Sequence, residues 1–115
     1  MDRAAIGRDA EDFACSFLQA QGYTIIERNW RTRLGEIDII AEKQGALVFI
    51  EVKFRSSDRF GAPEEAVDRS KLRRLERLAT AYMRQATRRY TGFGIEVVCV
   101  RRTPTGFSAS VIPAE

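Results

Sequence analysis

Histidine is absent from the 115 residues of this sequence. The absence excludes Ser-His-Asp and Cys-His hydrolases, because both kinds of enzyme use an imidazole to take the proton of the nucleophile. It also excludes zinc sites with histidine ligands and nucleases with a histidine general base. A hydrolytic mechanism that uses carboxylates and a metal ion is not affected by this absence.

Cysteine and long apolar runs are also scarce. Cys15 and Cys99 show no C-x-x-C spacing and each falls among apolar residues. We expect two small buried thiols in a reducing compartment, although the sequence also allows a disulfide between them. No apolar run is long enough to span a bilayer, and the first ten residues carry charges where a signal peptide has its apolar region. We therefore expect a cytoplasmic protein with no membrane partner.

Charge of either sign is not in large excess. Lys and Arg number 19, Asp and Glu number 16, and the net charge is +3. This balance favours a phosphate-rich partner only mildly. The length suits one hydrophobic core, so we expect a single domain over residues 1–115.

The spacing of apolar residues predicts the element order α-β-β-β-α-β-β. Helical spacing covers residues 3–21 and about 70–87, and strand patterns cover residues 23–28, 93–101 and 107–112. Residues 35–53 show two alternating strands joined by a tight turn, and residues 54–63 have the composition of a loop. Trp30 is expected to be buried or partly buried, and the alternative is an exposed platform for stacking. We predict an α/β domain with a mixed central sheet and helices on its faces.

The predicted hairpin, GEIDIIAEKQGALVFIEVK at residues 35–53, carries charged residues that a fold alone does not require. A two-residue loop at Gln44 and Gly45 sets its register. Counting outward from this loop places two acids opposite each other and an acid opposite a lysine, all on one face: Asp38 opposite Glu51, and Glu36 opposite Lys53.

Opposed carboxylates on neighbouring strands predict a bound cation. Their Cβ atoms would be about 4.5 to 5.5 Å apart, where two negative charges repel. Hard oxygen ligands suit Mg²⁺ or Mn²⁺, and Lys53 would lie roughly 6 to 7 Å from Glu51 along the same strand. A metal ion, a water and a fixed cation are the parts needed for phosphodiester hydrolysis. The alternative interpretation is a solvated strand face, which often carries acids and bases.

Arginines accompany the acids. Arg31, Arg33 and Arg55 bracket the acid cluster in sequence, where they can meet phosphates beside a scissile bond. Each alone fits an ordinary surface arginine equally well. Four more fall on one stripe of the second predicted helix: Arg73, Arg77, Arg84 and Arg88. The stripe is either a solvated helix face or a surface that follows a nucleic-acid backbone.

Three sequence patterns resemble the YraN-like family of uncharacterised bacterial proteins. They are GEIDIIA, LVFIEVKFR, and GAPEEAV at residues 61–67 followed by Lys71. That family is similar to Holliday-junction resolvases and to restriction-endonuclease-like PD-(D/E)xK nucleases. The resemblance extends from about Gly7 to Val100 and implies a restriction-endonuclease-like core, with Asp38, Glu51 and Lys53 as its site residues.

The resemblance also implies a helix acid at Glu11, because the pattern G-x-x-x-E-x-x-A at residues 7–14 is similar to the opening motif of the family. The residues alone leave Glu11 open between a solvated carboxylate and a ligand. Two departures are visible. Ala10 stands where the family usually has glycine, and residues 94–96 read GIE where the family usually has arginine, an aromatic residue and aspartate, so any role of that arginine is lost.

These patterns lead us to expect an endonuclease that depends on Mg²⁺ or Mn²⁺ and acts on DNA, including branched or junction DNA by resemblance. Asp38, Glu51 and Glu11 are expected to hold the metal, and Lys53 to orient water or offset developing charge. Glu36 and Lys71 are secondary candidates. Homodimerisation fits this activity, because cutting two strands symmetrically needs two sites. The alternatives are a non-catalytic nucleic-acid-binding module with the same fold and a structural or partner-binding protein.

Overall fold

A computed structural model describes residues 3–55 and 69–114, with side chains from residue 7 onward. The order of helices and strands is the predicted one. The elements are α1 Arg3–Ala20, β1 Thr24–Thr32, β2 Gly35–Lys43, β3 Ala46–Arg55, α2 Arg69–Gln85, β4 Phe93–Thr103 and β5 Gly106–Pro113. The prediction of an α/β fold is therefore confirmed.

Several element boundaries differ from the predicted ones by a few residues. β1 continues through Trp30, whose ring packs on Tyr82 of α2 at 5.3 Å between centroids. β3 includes Phe54, predicted to lie in a loop, because its ring packs on Phe107 of β5. α2 ends at Gln85, two residues earlier than predicted. The remainder of the predicted loop, residues 56–63, and the GAPEEAV motif lie outside the described residues.

The five strands form one mixed sheet in the order β1-β2-β3-β4-β5. Strands β3 and β4 are parallel, and the other three neighbouring pairs are antiparallel. Parallel strands need a long crossover connection, and here that connection contains α2. The crossover places α2 against one face of the sheet.

A hydrophobic core lies on each face of the sheet. α1 covers one face through Ala14 and Leu18, and α2 covers the other through Leu75 and Leu78. Successive residues of a strand serve opposite cores: in β3, Val48 and Ile50 pack toward α1, and Leu47 and Phe49 pack toward α2. Burial on both faces explains why this strand reads as a continuous apolar run.

Both cysteines are buried, as predicted, and no disulfide joins them. Cys15 belongs to α1 and lies in the core on that side of the sheet, where burial raises the pKa of its thiol. The prediction that Trp30 is partly buried is also confirmed. In the part of the chain that is described, no helix has the length and apolarity needed to cross a membrane.

Candidate active site at the fork between the second and third strands

The loop of the β2-β3 hairpin has the predicted two residues. Lys43 pairs with Ala46, and both loop residues have positive φ angles, 52° and 85°. Positive φ at both positions is what a two-residue type I′ loop requires. The predicted pairing continues from this loop as far as Ile39 with Ile50. The register of the hairpin is therefore confirmed over this distance.

The two pairs that were predicted beyond Ile39 and Ile50 are wrong. Neither Asp38 with Glu51 nor Glu36 with Lys53 belongs to the described β2-β3 pairing. The side chain of Asp38 instead accepts a hydrogen bond from the backbone N–H of Val52, at 2.8 Å from Oδ2. The physical reason is electrostatic: two directly opposed carboxylates repel, whereas an N–H dipole stabilises a carboxylate. The two strands fork where the charged residues begin.

The prediction that the four charged residues share one face is also corrected. Glu51 and Lys53 alternate with residues of the α2-side core, and Glu51 is paired with Lys71 of α2. Asp38 lines a cavity of about 620 Å³ together with Val52 and residues of α1. Because the fork interrupts the regular alternation, Asp38 opens toward α1 while Glu51 and Lys53 point toward α2. The two acids approach the fork from different sides.

A backbone irregularity in β1 holds the predicted helix acid in this cavity. Asn29 has a φ of 54°, in the left-handed region that asparagine tolerates better than most residues. As a result Arg28 and Asn29, although adjacent, both reach Glu11: Nη2 of Arg28 lies 3.2 Å and Nδ2 of Asn29 lies 2.9 Å from its Oε1. Arg28 also donates to Asp12 at 2.7 Å. α1 is thereby fastened to β1 beside the cavity.

Two of the predicted metal ligands, Glu11 and Asp38, line this one cavity. Arg31, a predicted phosphate contact, lines it too and forms an ion pair with Glu36 at 3.6 Å. The cavity therefore brings together three residues that the sequence analysis assigned to one site: Glu11 from α1, Arg31 from β1 and Asp38 from β2. The arrangement supplies acids inside the cavity and an exposed arginine at its edge.

Burial raises the pKa of Asp38 to about 6. The hydrogen bond from Val52 acts in the opposite direction, and the negative charges of Glu51, Glu11 and Glu36 add to the rise. An aspartate normally ionises near pH 4. Near neutral pH the site therefore holds a carboxylate at an electrostatic cost, which a bound cation would remove.

Among the described residues, Glu51 is the one charged residue that is buried. Its Oε1 lies 2.5 Å from Nζ of Lys71 and 3.5 Å from Nζ of Lys53. Its Oε2 is buried without a hydrogen-bond partner among the described residues. A buried carboxylate oxygen is costly when it is left unpaired, so this oxygen is suited to a further ligand.

The two lysines beside Glu51 differ in their acidity. Burial lowers the pKa of Lys53, and the adjacent Lys71 adds to this effect. Partial burial also acts to lower the pKa of Lys71, but the hydrogen bonds to Glu51 and Lys53 and the negative charge of Glu51 together outweigh it, and the pKa is raised. Lys71 is therefore the firmly charged partner of Glu51, and Lys53 gives up its proton more easily than an ordinary lysine.

The predicted arginine stripe forms a groove on the exposed side of α2. Arg73, Arg77 and Arg84 line a space of about 510 Å³ together with Leu34, which is 65% exposed at the turn between β1 and β2. Arg74, which the sequence analysis missed, lines an adjoining groove that also contains Lys71. Its position three residues after Lys71 on a helix was the available signal.

The other predicted arginines lie elsewhere. Arg88 follows the end of α2 and forms an ion pair with Glu42 at 3.4 Å, so its predicted place on the stripe was wrong because the helix ends earlier. Arg33 is exposed in the turn between β1 and β2. Arg55 ends β3 and donates to the carbonyl of Phe54 at 3.1 Å. Contact of Arg33 and Arg55 with phosphate stays a prediction.

Comparison with known proteins places the whole site inside a matched region. The family described as "Uncharacterised protein family UPF0102" matches residues 10–100. A "UPF0102 protein" of Mycolicibacterium vanbaalenii is 46% identical over 99 residues, which cover 86% of this chain and 82% of that protein. One from Dictyoglomus thermophilum is 39% identical over 106 residues, which cover 92% of this chain and 90% of that protein. The chain belongs to the uncharacterised protein family UPF0102, the YraN family whose motifs its sequence carries.

Proposed function

We propose that this protein is a divalent-metal-dependent endonuclease that hydrolyses phosphodiester bonds in DNA, including branched or junction DNA. The observation that carries the proposal is the buried Oε2 of Glu51, which has no hydrogen-bond partner among the described residues. The raised pKa of Asp38, about 6, adds to it, because a bound cation would stabilise both carboxylates. The element order and the mixed sheet support the further proposal that the fold is a restriction-endonuclease-like core.

Asp38 and Glu51 carry the oxygen ligands that suit Mg²⁺ or Mn²⁺. They approach the fork from different sides, but the charge of Glu51 acts on Asp38, and we propose that one ion binds between them. Mg²⁺ commonly takes one or two protein carboxylates and keeps several waters. The described residues contain no group of three His, Cys, Asp or Glu side chains arranged to hold a metal. Glu11, already bonded to Arg28 and Asn29, is therefore proposed as an outer acid that adds negative field and not as a third direct ligand.

A bound divalent ion would supply a Lewis acid and a more acidic water. The protein residues around it divide the remaining tasks. Asp38 is fixed by the N–H of Val52, and Glu51 is fixed by Lys71. Lys53, with its lowered pKa, is proposed to orient the attacking water or to offset charge on the phosphate. Glu36, close enough to raise the pKa of Asp38, adds to the negative field.

The grooves on α2 are proposed to hold the nucleic-acid backbone. Lys71 lines one groove and also contacts Glu51, so the basic surface reaches the fork. Arg73, Arg77 and Arg84 continue this surface along the helix. Contacts to phosphate are independent of sequence and suit a substrate that is recognised by shape. Paired cuts in a branched substrate would need two copies of the chain, and we propose a homodimer for that case.

The experiment that tests the proposal uses linear, nicked, flapped and four-way DNA with Mg²⁺, Mn²⁺ or EDTA. We expect cleavage of one or more substrates with either metal and none with EDTA. Binding without cleavage under all conditions would replace the proposal by its alternative, a nucleic-acid-binding module that keeps the fold without turnover. The same substrates made of RNA distinguish DNA from RNA as the target.

The basic groove makes a separate prediction about salt. Replacing Arg73 and Arg77 by glutamine should lower the slope of log affinity against log salt by about 0.9 for each duplex phosphate contact that is lost. Arg88→Gln is the matched control, since this arginine is paired with Glu42 away from the groove. The slopes are measured by fluorescence anisotropy on a labelled duplex. Equal slopes for the wild type and the double variant would make the groove an ordinary solvated helix face.

A further inference from the structure

Lys71 holds a position that both the fork and the basic groove use. It is the third residue of α2, and its Nζ lies 2.5 Å from Oε1 of Glu51, the shortest ion pair among the described residues. The same side chain lines the groove that contains Arg74 and Arg77. A lysine stem has four rotatable carbons, so its ammonium group can move between two such positions without a shift of the helix.

We infer that Lys71 is a built-in counter-ion that competes with the divalent metal for Glu51 and so sets the metal affinity of the site. The inference rests on the proposed function, because it concerns the carboxylate that we assign to the metal. When Lys71 pairs with Oε1, it neutralises much of the charge that a divalent ion would otherwise meet at this carboxylate. A divalent ion at Oε2, the oxygen without a described partner, would share this carboxylate with Lys71, and the charge of Lys71 would weaken its binding.

Lys53 is the less suitable of the two lysines for this role. It lies two residues from Glu51 on the same strand, so the strand itself fixes its distance, and its Nζ is 3.5 Å from Oε1. Lys71 comes from a different element and has the closer contact. Its side chain also lines the groove with Arg74 and Arg77, where a phosphate is a suitable partner for positive charge. A single residue thereby links the charge at the proposed metal carboxylate to the basic groove.

The test is the affinity for Mn²⁺ without any substrate, measured by electron paramagnetic resonance of free Mn²⁺ during titration. Lys71→Met removes the charge and keeps an unbranched side chain that is one atom shorter. It should bind Mn²⁺ roughly ten- to a hundredfold more tightly than the wild type, the factor that one net hydrogen bond to a charged group represents. Lys71→Gln should act in the same direction, and circular dichroism shows which of the two variants is folded.

Two control variants separate competition from general electrostatics. Lys71→Arg keeps the counter-ion and should stay within about threefold of the wild type. Arg74→Gln removes a neighbouring exposed charge that has no ion pair with Glu51 among those described, and it should change the affinity by less than about threefold.

The outcomes distinguish this inference from the proposed function. Mn²⁺ binding by the wild type with equal or weaker binding by folded Lys71→Met and Lys71→Gln would overturn the role of Lys71 and leave the metal site standing. Binding by the charge-removed variants alone would support the inference in its strongest form. Absence of binding in every variant would overturn both the metal site and the role of Lys71.

Discussion

Removing any one of three side chains at the fork should reduce metal-dependent cleavage by about 10² to 10⁴-fold, the range seen when a general acid–base or electrostatic group is lost. The variants are Asp38→Ala, Glu51→Ala and Lys53→Ala. The first two remove the proposed metal ligands, and the third removes the cation next to Glu51. Initial rates on the substrate that the wild type cleaves provide the measurement.

Binding of the same substrate should change by less than about threefold in these variants, because the phosphate contacts are assigned to the grooves of α2 and to exposed arginines. Glu42→Ala is a matched control: it removes an acid from the same strand as Asp38, but one that is paired with Arg88 away from the fork. It should keep wild-type activity. Full activity in a folded Asp38, Glu51 or Lys53 variant would remove that residue from the mechanism.

Asp38→Asn should make the metal-free protein more stable. The pKa of Asp38 is about 6 in the folded chain, whereas its ordinary value is 3.8. Each unit corresponds to about 1.4 kcal/mol, so the ionised side chain costs the fold up to about 3 kcal/mol at pH 7. Asparagine has no charge to bury and keeps an oxygen that can accept from the N–H of Val52.

The sign of the pH dependence follows from the raised pKa. Between about pH 4 and pH 6 the folded chain binds more protons at Asp38 than the unfolded chain does, so this residue makes stability fall as pH rises through that interval. The stability of Asp38→Asn should lack this fall, and the two proteins should converge below about pH 4. Urea unfolding at several pH values in EDTA measures the difference. Glu36→Gln, at a half-exposed acid, is the control and should shift stability by less than about 1 kcal/mol.

Much of the fold follows from local patterns in the sequence. The helical and alternating spacings are properties of short segments, so they predicted all seven elements in order. The hairpin register followed from its loop, because a two-residue loop at Gln44 and Gly45 fixes Lys43 and Ala46 as the first pair. The end of α2 was less visible, since helix ends depend on capping and on packing beyond the helix.

The candidate site was predicted residue by residue, but its geometry was not. The fork at Asp38 depends on charge repulsion and on the partner that β3 finds in β4, a strand distant in sequence. The left-handed Asn29 depends on the docking of α1 through Arg28. The pairing of Lys71 with Glu51 joins a helix to a strand through a crossover. Such contacts are set by the tertiary fold, and periodicity carries no information about them.

The metal-induced change in melting temperature of the wild type and of Asp38→Asn tests the central claim most directly, because it needs no substrate. An ion that binds only the folded chain stabilises it by about 2.7 kcal/mol at a hundredfold excess over its Kd. The account predicts that millimolar Mg²⁺ or Mn²⁺ raises the melting temperature of the wild type clearly and that of Asp38→Asn much less. An equal rise in both proteins, or no rise in either, would contradict a metal site at Asp38 and Glu51.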